Sequence, residues 1–242
     1  YVRWCERTGV NRSLLLDFVA FLTLKRWYSP LRETLRKGKK GMLEIHAITD
    51  GTKSIEELVD IILSISDEVD YVHIREKSKT PREIISLVEE LLLRGMDPEK
   101  LVINDRLDIA ILTGIKNIHL PGTGLPVEEV KQAFPDFRVG VSTHSLLEAK
   151  QAELAGADYC FFGHIFETNS KKGLPARGLE TLSQITADIS IPIIAIGGIT
   201  PWKLEDVRRN GVKGIAVISY IFTADNPKQA ARTFNLKRSM KA

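Results

Sequence analysis

Residues 192–219 read PIIAIGGITPWKLEDVRRNGVKGIAVIS and contain one complete unit of the predicted fold. The β-branched run Pro192–Gly197 predicts a buried strand, and the run Gly214–Ser219 predicts the next one. Between them, Pro201–Asn210 has helical spacing and begins with the helix-start signal Thr200-Pro201. A strand, a helix and a second strand in this order favour parallel pairing of the two strands.

The same alternation recurs from Met42 onward. The predicted strands are Leu43–Thr49, Asp70–Arg75, Leu101–Asn104, Asn117–Leu120, Arg138–Ser142, Asp158–Gly163, Pro192–Gly197 and Gly214–Ser219. The predicted helices are Ser54–Ile65, Pro81–Leu93, Pro126–Phe134, Leu146–Ala155, Leu179–Ile185, Pro201–Asn210 and, weakest of all, Ile109–Leu112. Eight such repeats in about 200 residues favour a single α/β domain, a closed (β/α)8 TIM barrel. A doubly wound open sheet is the alternative, but its GxGxxG signature is missing from the first strand–helix turn, Thr49-Asp50-Gly51-Thr52.

The composition is that of a globular protein with a large core, since 43% of the residues are apolar and 27% are charged. The net charge of +3 is too small to indicate nucleic-acid binding. Cys5 and Cys160 have neither metal-ligand spacing nor a disulfide framework. The apolar stretch Leu14–Thr23 is half of the roughly 20 residues that span a bilayer. We therefore predict a cytoplasmic protein that binds neither nucleic acid nor membrane, and leave a homodimer open.

Residues 1–41 do not share the strand–helix rhythm. They contain one amphipathic helical pattern, at about Arg12–Leu22, and the basic run Arg36-Lys37-Gly38-Lys39-Lys40-Gly41. Such a run before Met42 is also what a purine-rich ribosome-binding sequence gives when it is translated. We therefore predict an N-terminal extension at 1–41, either upstream sequence or an appended helix, and a barrel domain at 42–242.

The active site of a TIM barrel forms where the strands end and the βα loops begin. After strand two, alternation places Arg75 and Lys77 on the same face as His73, where they either bind an anion or form a solvated strand end. Strand three ends at Asn104 and Asp105, which either bind a ligand or a hard cation, or cap the next helix.

Later strands end in residues that suit proton transfer and phosphate binding. His164 follows an apolar run at the end of strand six, where it is either a satisfied core histidine or an acid–base group. Gly197 and Gly198 either expose backbone N–H groups to a phosphate or only make a tight turn. Three further histidines near strand ends share no metal-ligand spacing: His46, His119 and His144. We predict no metal and no cofactor.

An ordered set of motifs resembles the thiamine phosphate synthase superfamily over residues 42–222. The motifs are HIREK at His73–Lys77, INDRLDIA at Ile103–Ala110, VGVSTHSLLEA at Val139–Ala149, GADY at Gly156–Tyr159, PIIAIGGI at Pro192–Ile199 and GIAVIS at Gly214–Ser219. The resemblance implies a small phosphorylated thiazole as ligand, its phosphate held near four residues: Gly197, Gly198, Ile218 and Ser219. Thr168, Ser170 and Lys171 fit the family's strand-six motif. We predict that these three contact the substrate together with Arg75, Lys77 and Asn104.

Three departures from the synthase pattern bear on activity. The family has Gln where His73 stands, and Pro where His164 stands. Its HLGQxD motif carries a magnesium-binding Asp where this chain has Gly124, a loss expected to weaken the departure of pyrophosphate. These departures resemble the thiazole tautomerase branch in thiamine biosynthesis. They imply an isomerase in which His164 is catalytic, moving a proton to aromatise the exocyclic-alkene tautomer of carboxythiazole phosphate. The alternatives are a non-catalytic regulator that binds thiazole phosphate, and a thiamine phosphate synthase.

Overall fold

The eight predicted strands form one closed parallel barrel. The structure, a computed structural model, describes residues 42–168, 171 and 173–239, so the predicted extension at 1–41 lies outside the described residues. Each strand pairs with the next one along the chain, and β8 pairs with β1, which confirms the TIM barrel and excludes the open sheet. The strands are β1 Glu44–Ile48, β2 Tyr71–Ile74, β3 Leu101–Asn104, β4 Asn117–Leu120, β5 Arg138–Thr143, β6 Tyr159–Gly163, β7 Ile193–Ile196 and β8 Gly214–Val217.

Helices connect the strands around the outside of the barrel. They are α1 Ile55–Ile65, α2 Pro81–Leu93, α3 Leu107–Thr113, α4 Val127–Ala133, α5 Leu146–Leu154, α6 Gly178–Asp188, α7 Leu204–Arg208, α8 Ser219–Phe222 and α9 Pro227–Ser239, with 3₁₀ turns at Pro98–Lys100 and Pro201–Lys203. The predicted helix Pro201–Asn210 is thus a 3₁₀ turn followed by α7. The eighth strand ends two residues before its predicted end, because Ser219 begins the short helix α8. Sequence analysis did not predict α8 and α9.

Local signals set the helix starts, and apolar spacing sets their packing. Ser54 caps α1 with a complete capping box, in which its side chain accepts from the backbone N–H of Glu57 and the Glu57 carboxylate accepts in return. Thr80 does the same for α2. The buried residues of α1 are Leu58, Val59, Ile62 and Ile65, at the spacing of one helix face. That face packs in the main core, between the strands and the helices.

The interior of the barrel holds a second, smaller cluster with Tyr159 and Phe161 among its members. The ring of Tyr159 lies so close to Gly140 that a Cβ there would come within 2.0 Å of it, so only glycine fits on β5 at that point. Across the barrel, Arg238 of α9 bonds the Leu43 carbonyl at 3.0 Å and forms an ion pair with Asp70. Among the described residues, no helix has the length and apolar character needed to cross a membrane.

Candidate active site

An open cavity of about 1280 Å³ lies at the carboxyl ends of the strands. Its lining includes every predicted site residue that the structure describes: Arg75, Lys77, Asn104, His164, Thr168, Lys171, Gly197, Gly198, Ile218 and Ser219. Ser170 lies outside the described residues. The fold therefore brings together residues from five loops. What each of them binds stays a prediction.

One side of the cavity is formed by the loops that follow β7 and β8. Gly197 and Gly198 have φ angles of +99° and +65°, which only glycine adopts without strain. A Cβ on Gly198 would lie 2.5 Å from the Glu167 carbonyl oxygen and 2.9 Å from the Cβ of Phe166. The two glycines thus make a tight turn and at the same time allow close backbone approach, with α8 beginning beside them at Ser219. Loops after strands seven and eight next to a short extra helix are a frequent phosphate site in TIM barrels.

His164 lies at the end of β6, with only 5% of its surface exposed. Its Nε2 is 3.2 Å from the carbonyl oxygen of Leu174, which can only accept a hydrogen bond. Nε2 therefore carries the proton in the neutral ring, and Nδ1 carries a lone pair. Nδ1 is buried and has no hydrogen-bond partner among the described residues. His164 lines the cavity and is not a fully satisfied core histidine, because one of its ring nitrogens has no partner among the described residues.

Arg177, which the sequence did not single out, and His144, whose role the sequence left open, hold the backbone before His164. The carbonyl oxygen of Gly163 accepts a bond from Nε of Arg177 at 2.9 Å and lies 3.1 Å from Nδ1 of His144. The backbone N–H of Arg177 also donates to the His164 carbonyl at 2.9 Å. Arg177 lies in an irregular loop, and nothing in its sequence context indicates this contact.

Arg75 and Lys77, the cations that follow β2, line another part of the cavity wall. Arg75 is held through its backbone N–H, which donates to the Thr49 hydroxyl at 2.8 Å. Among the described residues, no ion pair involves the side chain of Arg75 or of Lys77, whereas Lys79 is paired with the buried Glu76 at 2.8 Å. The charges of Arg75 and Lys77 are therefore not neutralised by an ion pair within the described part of the chain, and their binding of an anion stays a prediction.

Asn104 and Asp105 do not cap the helix that follows them. The N-cap of α3 is Arg106, and no side chain caps it. Asp105 has a φ of +67°, a conformation that non-glycine residues rarely adopt and that often marks a functional site. Asn104 lies beside His73, with 3.0 Å between Oδ1 and Nδ1. Both residues line the cavity, so the capping alternative is wrong for this chain.

Three histidines whose roles the sequence left open are buried inside the barrel, and the third of them also lines the cavity: His46, His73 and His119. Burial is the main cause that lowers the pKa of each ring, to about 3 for His119. Repulsion from His46 when that ring is protonated, and from the Arg138 guanidinium, lowers the pKa of His119 further. All three rings are therefore neutral at pH 7. Alternation placed His73 on the same face as Arg75 and Lys77, but the mutual contacts of the three rings join strands far apart in the sequence.

The residues around this cavity bear on whether the magnesium site of the synthase family is present in this chain. The described residues contain no group of three or more His, Cys, Asp or Glu side chains placed to hold a metal. Gly124 closes a turn in which its N–H bonds the Pro121 carbonyl at 2.9 Å, and a Cβ there would lie 2.8 Å from the Pro121 ring. Asp105 remains as a carboxylate in the lining. Mg²⁺ is commonly held by one or two carboxylates together with substrate phosphates, and Asp105 fits that form.

Residues 45–221 match the family model described as thiamine monophosphate synthase. The chain belongs to this family. It is 43% identical to a thiamine-phosphate synthase from Chlorobium luteolum over 165 residues, which are 67% of this chain and 78% of that protein. A thiamine-phosphate synthase from Methanococcus maripaludis is 32% identical, over 81% of this chain and 95% of its own length. Among solved structures, a thiamine phosphate pyrophosphorylase from Pyrococcus furiosus has a TM-score of 0.71 and 30% identity, covering 81% of this chain and 96% of its own.

These comparisons correct the predicted reaction class. The prediction of an isomerase is wrong, because these relatives of the thiamine monophosphate synthase family are named as synthases, which are transferases. The three departures at His73, Gly124 and His164 therefore do not define an isomerase. The superfamily, the barrel and the place in thiamine biosynthesis agree with the prediction.

Proposed function

We propose that the protein is a thiamine-phosphate synthase, which joins a thiazole phosphate to a pyrimidine pyrophosphate. One observation supports the proposal beyond family membership: two groups of residues whose chemistry suits anions line one cavity. The glycine turn after β7, together with Ser219, suits a phosphate, and Arg75 and Lys77 suit a second, more highly charged group. A coupling of two phosphorylated substrates needs two such regions.

The chemistry of the coupling assigns roles to the residues. The lone pair of the thiazole nitrogen forms a bond to the exocyclic methylene carbon of the pyrimidine. The carbon–oxygen bond to pyrophosphate breaks, and its electron pair leaves on the pyrophosphate. Negative charge therefore accumulates on the leaving group, where Arg75, Lys77 and Lys171 would stabilise it. Magnesium bound at Asp105 would supply further neutralisation of the same charge.

This step transfers no proton, so it needs no acid–base group. His164 would then hold a ligand through its free Nδ1 acceptor and would not act as a shuttle. Substituting it should weaken binding more than it slows bond formation.

The test is a coupling assay on the full chain with thiazole phosphate, pyrimidine pyrophosphate and Mg²⁺. We expect thiamine phosphate and pyrophosphate to form in equal amounts. Arg75→Met should lower the rate, and the matched control Arg94→Met should not, because Arg94 is bound to Glu90 and Asp60 on the surface. Absence of any product would refute the proposal.

A second candidate, the non-catalytic regulator, is favoured by the turn at Gly124, which leaves no carboxylate at the position of the second magnesium ligand. Calorimetry with thiazole phosphate distinguishes the two functions. Binding without product supports the regulator, and absence of binding refutes both. The cytoplasmic location and the homodimer stay predictions.

A further inference from the structure

A chain of polar side chains runs through the barrel from its amino-terminal end to the cavity. At the lower end, the carboxylate of Glu44 lies 3.4 Å from Nε2 of His46. Nδ1 of His46 lies 3.0 Å from Nε2 of His73, and Nδ1 of His73 lies 3.0 Å from Oδ1 of the Asn104 amide. Both histidines are fully buried, and Asn104 lines the cavity. The proposed reaction uses neither histidine nor Glu44.

The charge of Glu44, at the amino-terminal end of the barrel, determines the direction of the hydrogen bonds along this chain of side chains. Glu44 is surrounded by positive groups, with Lys213 at 3.6 Å and Arg138 at 4.0 Å. Burial alone raises the pKa of Glu44, but the bond from His46 and these positive charges outweigh it, so the pKa is lowered. Glu44 is therefore ionised at pH 7 and can only accept a hydrogen bond. It requires a proton on Nε2 of His46.

Each neutral imidazole carries a single N–H, so the direction passes along the chain. With its proton on Nε2, His46 must accept at Nδ1, and the donor is Nε2–H of His73. His73 must then accept at Nδ1, and the remaining donor is the amide N–H of Asn104. The opposite direction would leave Nε2 of His46 and the Glu44 carboxylate facing each other as two acceptors. The structure places Oδ1 of Asn104 against His73, so this direction requires the amide to be turned over. The oxygen and nitrogen of an Asn amide occupy nearly the same positions, so the contact distance allows the turned orientation.

We propose that Glu44, His46 and His73 are positioning residues that hold Asn104 with its nitrogen toward His73 and its carbonyl oxygen toward the cavity. Asn104 then accepts a hydrogen bond from an N–H donor on the ring of a bound ligand, and does not bind a phosphate oxygen. The resembled family has Gln in place of His73, and a Gln amide can turn either way. In this chain, the carboxylate of Glu44, two histidines away from Asn104, determines which way the amide points.

The direct test is the protonation state of the two rings, measured by long-range ¹H–¹⁵N spectra of the full chain at pH 7. Signals are assigned by their loss in His46→Gln and His73→Gln. We expect both rings to be neutral with the proton on Nε2. A proton on Nδ1 of His73, or on both nitrogens of either ring, overturns the proposal. This readout needs no substrate, so it stands or falls separately from the proposed synthase activity.

Two variants test the ends of the chain. In Asn104→Asp, the new carboxylate cannot donate, so Nδ1 of His73 should gain a proton and its ¹⁵N signal should move into the protonated range. If Asn104 already accepted from His73, the signal would not move. Glu44→Gln can donate or accept, so His46 should lose its fixed tautomer, and Glu44→Asp should keep it. The matched control Asp136→Asn, which removes an exposed carboxylate paired with Lys116, should leave both rings unchanged.

Discussion

Gly198→Ala tests whether the loop after β7 both supports the loop after β6 and binds phosphate. The substitution adds one methyl group at a φ of +65°. Left-handed backbone costs an alanine about 1–2 kcal/mol. The added Cβ would also lie 2.5 Å from the Glu167 carbonyl oxygen and 2.9 Å from Phe166, mostly backbone contacts that a side-chain rotation cannot relieve. Overpacking of this kind costs about a further 1–3 kcal/mol.

Gly114→Ala is the matched control. Gly114 has a φ of +71°, and a Cβ there meets nothing within 4 Å. It therefore carries the backbone cost of about 1–2 kcal/mol without the clash. The two variants should differ by about 1–3 kcal/mol in free energy of unfolding. For a chain of this size, each kcal/mol corresponds to about 2–4 °C in melting temperature.

The assay combines thermal unfolding with calorimetric binding of thiazole phosphate. Gly198→Ala should melt below Gly114→Ala and bind at least about tenfold more weakly, because one lost hydrogen bond to a charged group is worth about 1.5–3 kcal/mol. Gly114→Ala should bind like the wild type. Equal melting temperatures of the two variants, together with unchanged affinity of Gly198→Ala, would contradict the prediction. That result would show that the backbone at residues 166–167 moves aside at little cost and that the phosphate binds elsewhere.

Three further predictions use the buried charges and the histidines. His119 stays neutral in the folded protein because burial lowers its pKa to about 3, while the unfolded chain takes up a proton below about 6.5. Unfolding free energy should therefore fall as pH drops from about 6.5 toward 3, with His119 contributing up to about 1.4 kcal/mol per pH unit. His119→Gln should reduce that slope in urea titrations at several pH values, and an unchanged slope would contradict the buried neutral ring. Arg238→Met should lose about 3–5 kcal/mol in urea unfolding because it removes the buried cation of the ion pair with Asp70, whereas Lys150→Met, at an exposed pair with Asp188, should lose less than about 1 kcal/mol; similar losses would refute the difference. His164→Ala should raise KM in the coupling assay by about tenfold or more with a smaller change in kcat, and a large fall in kcat at constant KM would show that His164 takes part in the bond-making step.

The sequence alone determined the barrel and the positions of its polar strand ends. Period-two runs such as Pro192–Gly197 and capped helical segments such as Pro81–Leu93 are local signals, and eight of them in succession leave little choice of topology. The glycine pair and the cations after β2 could be found for the same reason. A TIM barrel places the residue after each strand at one end of the molecule. The segments that form α8 and α9 do not belong to the repeated strand–helix pattern, so the sequence did not predict these two helices.

Tertiary structure decided what distant residues do to one another. The departures at Gly124 and His164 were visible in the sequence, but the isomerase inferred from them was wrong, because single residues do not define a reaction. The contact of Arg177 with Gly163 and the links from Glu44 through His46 and His73 to Asn104 join segments far apart in the chain. Whether a buried imidazole donates or accepts depends on the group across the barrel from it. That partner is set by how the strands close, which no local pattern contains.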